Sequence, residues 1–127
     1  MAHGIGAYLG NAWLNALGNN TSFAVAQVYV KLHVGDPGAA GTANPATETT
    51  RKAVSFGAAA GGVLTSDADI TWTNIAGSED ANHFTAWDSL TTGNFLFSGT
   101  ITANPYDAGD TYTISSGNLT ATLTLAS

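Results

Sequence analysis

Three histidines and nine acidic residues are the groups in this chain that could move protons or hold a metal, and there is no cysteine to act as nucleophile, thiolate ligand or disulfide. His33 follows Lys31 by two residues in an alternating run, which predicts that both lie on the outer face of a strand, where spacing places no partner beside the imidazole. His83 comes shortly after Glu79 and Asp80 but opens an alternating run of its own, and His3 falls at the terminus. Asp67 and Asp69 share a face and could join Asp107 or Asp110 around a hard cation, yet their spacing is unlike a calcium loop, so solvated edge carboxylates are expected. Gly57-Ala58-Ala59-Ala60-Gly61-Gly62 lacks the Lys-Ser or Lys-Thr of a phosphate loop and reads as a hairpin connection. No serine sits in a Gly-x-Ser-x-Gly elbow. The expectation is a protein without catalytic residues, metal or cofactor. Trp13, Trp72 and Trp87 with Tyr29, Tyr106 and Tyr112 could form a stacking platform for saccharides, which keeps a carbohydrate-binding module open as an alternative; in a β-sandwich most such rings are core.

Those residues have to be positioned by a small body. At 127 residues the chain is expected to be a single domain over 1–127, with a helical segment at 1–20 and a β-sandwich at 26–127. Hydrophobic residues make up 44 % and charged residues only 9 %, against about 25 % in ordinary soluble domains. The net charge of -6 rests on just three basic residues, Lys31, Arg51 and Lys52, which excludes a protein that grips nucleic acid through phosphate contacts. No basic leader and no apolar run of ~18 residues occurs, so neither export by a signal peptide nor a membrane span is expected. A surface of Thr, Ser, Asn, Gly and Ala loses little on burial, because covering a hydroxyl or methyl costs far less than covering a charge. Assembly with other proteins is the first expectation.

From Ile5 to Leu17 the residues Ile5, Leu9, Trp13 and Leu17 recur every fourth position, predicting an amphipathic helix that Gly18-Asn19-Asn20 ends. Its other face holds Ala7, Gly10, Leu14 and two asparagines, and no charged residue occurs before Lys31. A solvated helix face is normally charged. The plain expectation is a helix packed only on its own domain; the sharper one is a helix shared between copies, with Ile5, Leu9, Trp13, Leu14 and Leu17 as interface candidates. After it the period changes to two. Strands are predicted at Val28–Val34, Arg51–Phe56, Ala68–Thr73, His83–Asp88, Asn94–Thr102, Thr111–Ser115 and Leu119–Leu125, separated by Gly-rich turns. Roughly seven short strands argue an all-β fold, an antiparallel β-sandwich with one N-terminal amphipathic helix.

Between the first two strands runs a long, largely apolar loop that opens on Asp36-Pro37-Gly38, a turn signature, and includes Asn44-Pro45. Loops beyond ~12 residues are uncommon unless functional or disordered. This one is expected to be an arm that docks on a neighbour, with Asp36, Pro37 and Pro45 as interface candidates.

Tyr29-Val30-Lys31-Leu32-His33 leading to Asp36-Pro37-Gly38, then Arg51-Lys52-Ala53-Val54-Ser55-Phe56, Ile70-Thr71-Trp72, Asn82-His83-Phe84 through Trp87-Asp88, Gly93-Asn94-Phe95-Leu96-Phe97 and Ala108-Gly109-Asp110-Thr111, resemble in order and spacing a family of small virion proteins of tailed actinobacteriophages. The resemblance spans nearly the whole chain. Thr85-Ala86 stands where it implies Gly and a bulkier aliphatic, so the packing around Trp87 is expected to differ. It implies a structural protein of the phage virion, made in the bacterial host cytoplasm and carried on the particle surface. A capsid decoration protein on the head is the leading expectation, and a tail-fibre or minor tail protein the alternative. The implied partners are further copies of itself, with a trimer favoured, and the major capsid protein or tail proteins of the same phage.

Overall fold

The computed structural model describes residues 4–126, so His3 lies outside the described residues. It is an all-β, antiparallel, sandwich-like fold with one N-terminal helix. The elements in chain order are α1 (Ala7–Gly18), β1 (Val28–His33), β2 (Lys52–Val54), β3 (Val63–Thr65), β4 (Ile70–Trp72), β5 (His83–Trp87), β6 (Phe95–Thr100), β7 (Tyr112–Ile114) and β8 (Thr120–Thr122).

One layer is a four-stranded sheet in the order β2-β1-β5-β6; two short ladders, β3-β8 and β4-β7, supply the rest. Val30 and Leu32 on β1 pair with Ala86 and Phe84 on β5, and all four side chains are fully buried. Phe84 meets Phe97 edge to face at 5.8 Å between ring centres. Trp72 and Tyr106 each lean against Tyr112, with ring centres 6.0 and 5.2 Å apart, and the Trp72 indole donates to the Thr50 carbonyl at 2.8 Å.

β3 adds a strand to those predicted. It is three residues long, follows two glycines and gives too short an alternation to register in the sequence. At Ser66, beside β3, the backbone amide donates to the Leu119 carbonyl and the buried hydroxyl accepts from the Gly117 and Leu119 amides, which ties this segment to the turn before β8. The Gly-rich stretch does form a hairpin connection, closed by reciprocal amide–carbonyl bonds between Ala60 and Val63.

The helix starts two residues later than its apolar spacing implies. Ile5 bridges Phe97 as a piece of strand on the edge of β6, and the Gly6 amide donates to the Leu96 carbonyl at 2.7 Å. A Cβ on Gly6 would lie 3.0 Å from the Phe95 ring, so glycine is needed at this close crossing. Of the expected stripe only Leu9 is buried. Ile5 and Trp13 are each 38 % exposed and Leu17 is 84 % exposed. The reason is that α1 packs on β6 through its first turns, and its last turns gain no cover from the body.

Candidate interaction surface

The groups with chemical potential are dispersed and engaged. His33 is fully buried, which corrects its expected place on an open outer face without a partner. Its strand face is the one that alternation predicts, but the loop that follows β1 folds back over it. His33 Nδ1 lies 2.8 Å from the Ala43 carbonyl and must donate to it. Nε2, 2.9 Å from Thr85 Oγ1, is then the acceptor of the threonine hydroxyl, and that same hydroxyl accepts the Trp87 indole N–H at 2.7 Å. The relay Trp87–Thr85–His33–Ala43 joins β5, β1 and the loop with every partner satisfied. Burial, first, and the nearby Lys31 charge pull the imidazole below its ordinary pKa, against the opposing effect of the Ala43 carbonyl. The residue that departs from the sequence resemblance, Thr85, is the centre of this relay.

His83 Nδ1 donates to the neighbouring Asn82 side-chain carbonyl, at 2.7 Å. The aspartates cap turns: Asp69 accepts the Ser116 amide and Asp110 the Asp107 amide, while Asp67 accepts the Ser55 hydroxyl. Among the described residues, no group of three or more His, Cys, Asp or Glu is placed to hold a metal ion. The aromatic residues do not assemble a saccharide platform. Trp72, Trp87, Tyr106 and Tyr112 are buried, and Arg51 covers the Trp87 ring at 4.2 Å.

The long loop after β1 is closed on its own domain. Val34 N–H donates to the Asn44 carbonyl, Ala43 N–H to the Pro37 carbonyl and Ala46 N–H to the Leu32 carbonyl. The Asp36 carboxylate accepts the Gly38 amide and its carbonyl accepts from the Asn44 amide group, so Asp36 sets the turn. Pro37 is fully buried and Ala46 nearly so, whereas Pro45 is exposed beside its bridge to His33. Gly41, at φ +72°, sits where a Cβ would fall 2.5 Å from the Phe95 ring. The loop expected as an arm that docks on a neighbour thus lies packed on its own sheet. Its apolar residues are there because the loop is the lid of its own outer sheet face, and only the crest of Ala39, Ala40, Thr42, Ala43, Asn44 and Pro45 looks outward.

Two glutamates continue the fastening. Glu48, 9 % exposed, accepts the Ala76 and Thr50 amides. Burial alone would raise its pKa, but those donors outweigh it and the carboxyl is held below its ordinary value. Glu79 accepts the Thr47 amide, the Thr47 hydroxyl and the Tyr106 hydroxyl. Burial and then this carboxylate push the Tyr106 phenol well above its ordinary pKa.

The surface that is left uncovered is apolar. A groove of about 200 Å³ runs beside α1, lined by Ile5, Leu9, Trp13, Val63, Leu64 and Leu123 with the small residues between them. Around it Leu14 is 64 %, Leu17 84 %, Leu123 47 % and Leu125 57 % exposed. Of these, Ile5, Leu9, Trp13, Leu14 and Leu17 were legible as interface candidates. Val63, Leu64, Leu123 and Leu125 were not. The available signal is charge: no Asp, Glu, Lys or Arg occurs in 1–30, in 57–66 or in 111–127, the three stretches that meet here.

A charge-poor antiparallel sandwich, its loops and buried carboxylates spent on fastening the fold, has the make of a structural protein, and its sequence places it among the fibre-like structural proteins of phage virions. The chain belongs to the family described as Podophage GP4 fiber I protein gp80, whose model matches residues 4–122. No curated protein matches it. The match supports a phage fibre protein and does not bear on the actinobacterial host that the resemblance implied.

Proposed function

We propose that this protein is an external structural component of the phage particle, acting in a fibre by binding energy and without catalysis. The observation that carries this reading is the fibre-family match over 4–122, nearly the whole chain. That family gives the fibre precedence over decoration of the head. The neutral exterior fits the role, since Thr, Ser, Asn and Ala side chains pack against a neighbour at little desolvation cost. Its partners are the tail or capsid proteins of the same particle, met through neutral surfaces such as the crest of the loop from Ala39 to Pro45. Counting copies in purified virions by quantitative mass spectrometry tests the placement. A fibre component is present in small multiples of the tail symmetry. Hundreds of copies per particle would move it to the head, and its absence from purified particles would remove it from the virion.

A further inference from the structure

We infer that the apolar face of α1, β3 and β8 is the contact between copies of this chain, and that Leu14 and Leu17 of one copy fill the groove of the next. The groove and the ridge that would fill it are both present and both empty-handed within one copy. The lining is apolar throughout, from Ile5, Leu9 and Trp13 on one side to Val63, Leu64 and Leu123 on the other. A cavity of about 150 Å³ is enough for a six-carbon ring, so its roughly 200 Å³ takes one leucine side chain and part of a second. Leu14 and Leu17, at 64 % and 84 % exposure, are the large apolar side chains on the helix with least cover.

Charge selects a second copy as the occupant. Each copy carries a net charge of -6, so two copies repel wherever their acidic surfaces meet. The segments that build this face contain no charged residue, and α1 has no acidic residue in its first turn and no basic residue in its last. A charged partner would find nothing here to pair with; an identical neutral face meets no unpaired charge. Ile5, Trp13, Leu14, Leu17, Leu123 and Leu125 are between 38 % and 84 % exposed. Soluble monomers rarely leave a contiguous apolar patch of this many large side chains uncovered, and such patches mark interaction sites.

The groove and the leucine ridge lie side by side on one face, so two copies related by a two-fold axis can each seat their leucines in the other's groove, and a contact passed from copy to copy closes a ring of three or more. This inference stands on the surface itself and does not depend on the fibre reading.

The chain has no cysteine, so cross-linking reports the contact directly. Proteins carrying Leu17→Cys and Ala59→Cys, both at exposed positions, are prepared separately, mixed and oxidised gently. Unlike pairs should exceed like pairs, and light scattering of the wild type should give the mass of two or more whole copies. Leu17→Lys should reduce that mass to one copy while leaving the circular dichroism spectrum unchanged. A wild type that is monomeric at high concentration, a Leu17→Lys protein that keeps the wild-type mass, or Leu17→Cys chains that join only to one another would overturn the inference.

Discussion

Replacing Thr85 by Val keeps the outline of the side chain and removes only the hydroxyl, and the relay puts a number on the consequence. The Trp87 indole N–H loses its acceptor and His33 Nε2 loses its donor. Thr85 and His33 are both fully buried, so water does not replace the hydroxyl. A buried polar group left unsatisfied costs ~1–3 kcal/mol, which gives about 2–6 kcal/mol for the pair. A kcal/mol moves the midpoint of a domain near this size by roughly 2–8 °C, so Thr85→Val should melt at least about 4 °C below the wild type. Thr71→Val is the control: its hydroxyl meets that of Thr113 at an exposed position, and the change should stay within ~0.5 kcal/mol. Urea unfolding followed by circular dichroism measures both. If Thr85→Val came within ~0.5 kcal/mol of the wild type, the relay would not be holding the loop to the sheet.

Stability should fall with acid in two stages. His33 binds a proton less readily folded than unfolded, chiefly because it is buried, so its contribution is full above its ordinary value of 6.5 and declines as the pH drops below it. Glu48 has a folded pKa below its ordinary 4.5, so its contribution is present above that value and is lost as the pH falls through the folded pKa. Thermal midpoints measured across this range check both signs, and a midpoint that rises on acidification from neutrality to about pH 5 would contradict the first. Glu48→Ala should cost ~1–3 kcal/mol in urea unfolding, because the Ala76 and Thr50 amides lose a nearly buried acceptor. Gly41→Ala should cost more than ~1 kcal/mol from its positive φ alone, with the Phe95 ring forced aside, and amide exchange should quicken from Val34 to Ala46.

The sandwich could be read from the sequence because alternation with period two persists through β1, β5 and β6, where strands are long enough to show it. It reported which residues share a face and not what lies on that face. Lys31 and His33 alternate onto one side as expected, but burial of His33 is decided by a loop that returns from ten residues further on to accept its Nδ1 proton. The composition of that loop was read as a surface for a neighbour because Gly, Ala and Pro are equally suited to close packing against the chain's own sheet. β3 was hidden by its length, and the start of α1 was misplaced because Ile5 satisfies a helical spacing and an edge-strand pairing alike. The groove was only half visible: it is assembled from residues near 5–13, 59–64 and 121–123, of which 59–64 carries no periodic signal, and the alternation at 121–123 predicts a strand without showing that it meets the helix.

The central claim is that a fibre-family protein of this fold stands on the outside of the particle, in a fibre at its tail. Electron microscopy of intact virions labelled with antibody raised against the folded protein tests it most directly. Gold confined to the tail end of each particle is the predicted result. Gold spread over the head, or no gold on particles whose disrupted proteins still react with the antibody, would contradict it.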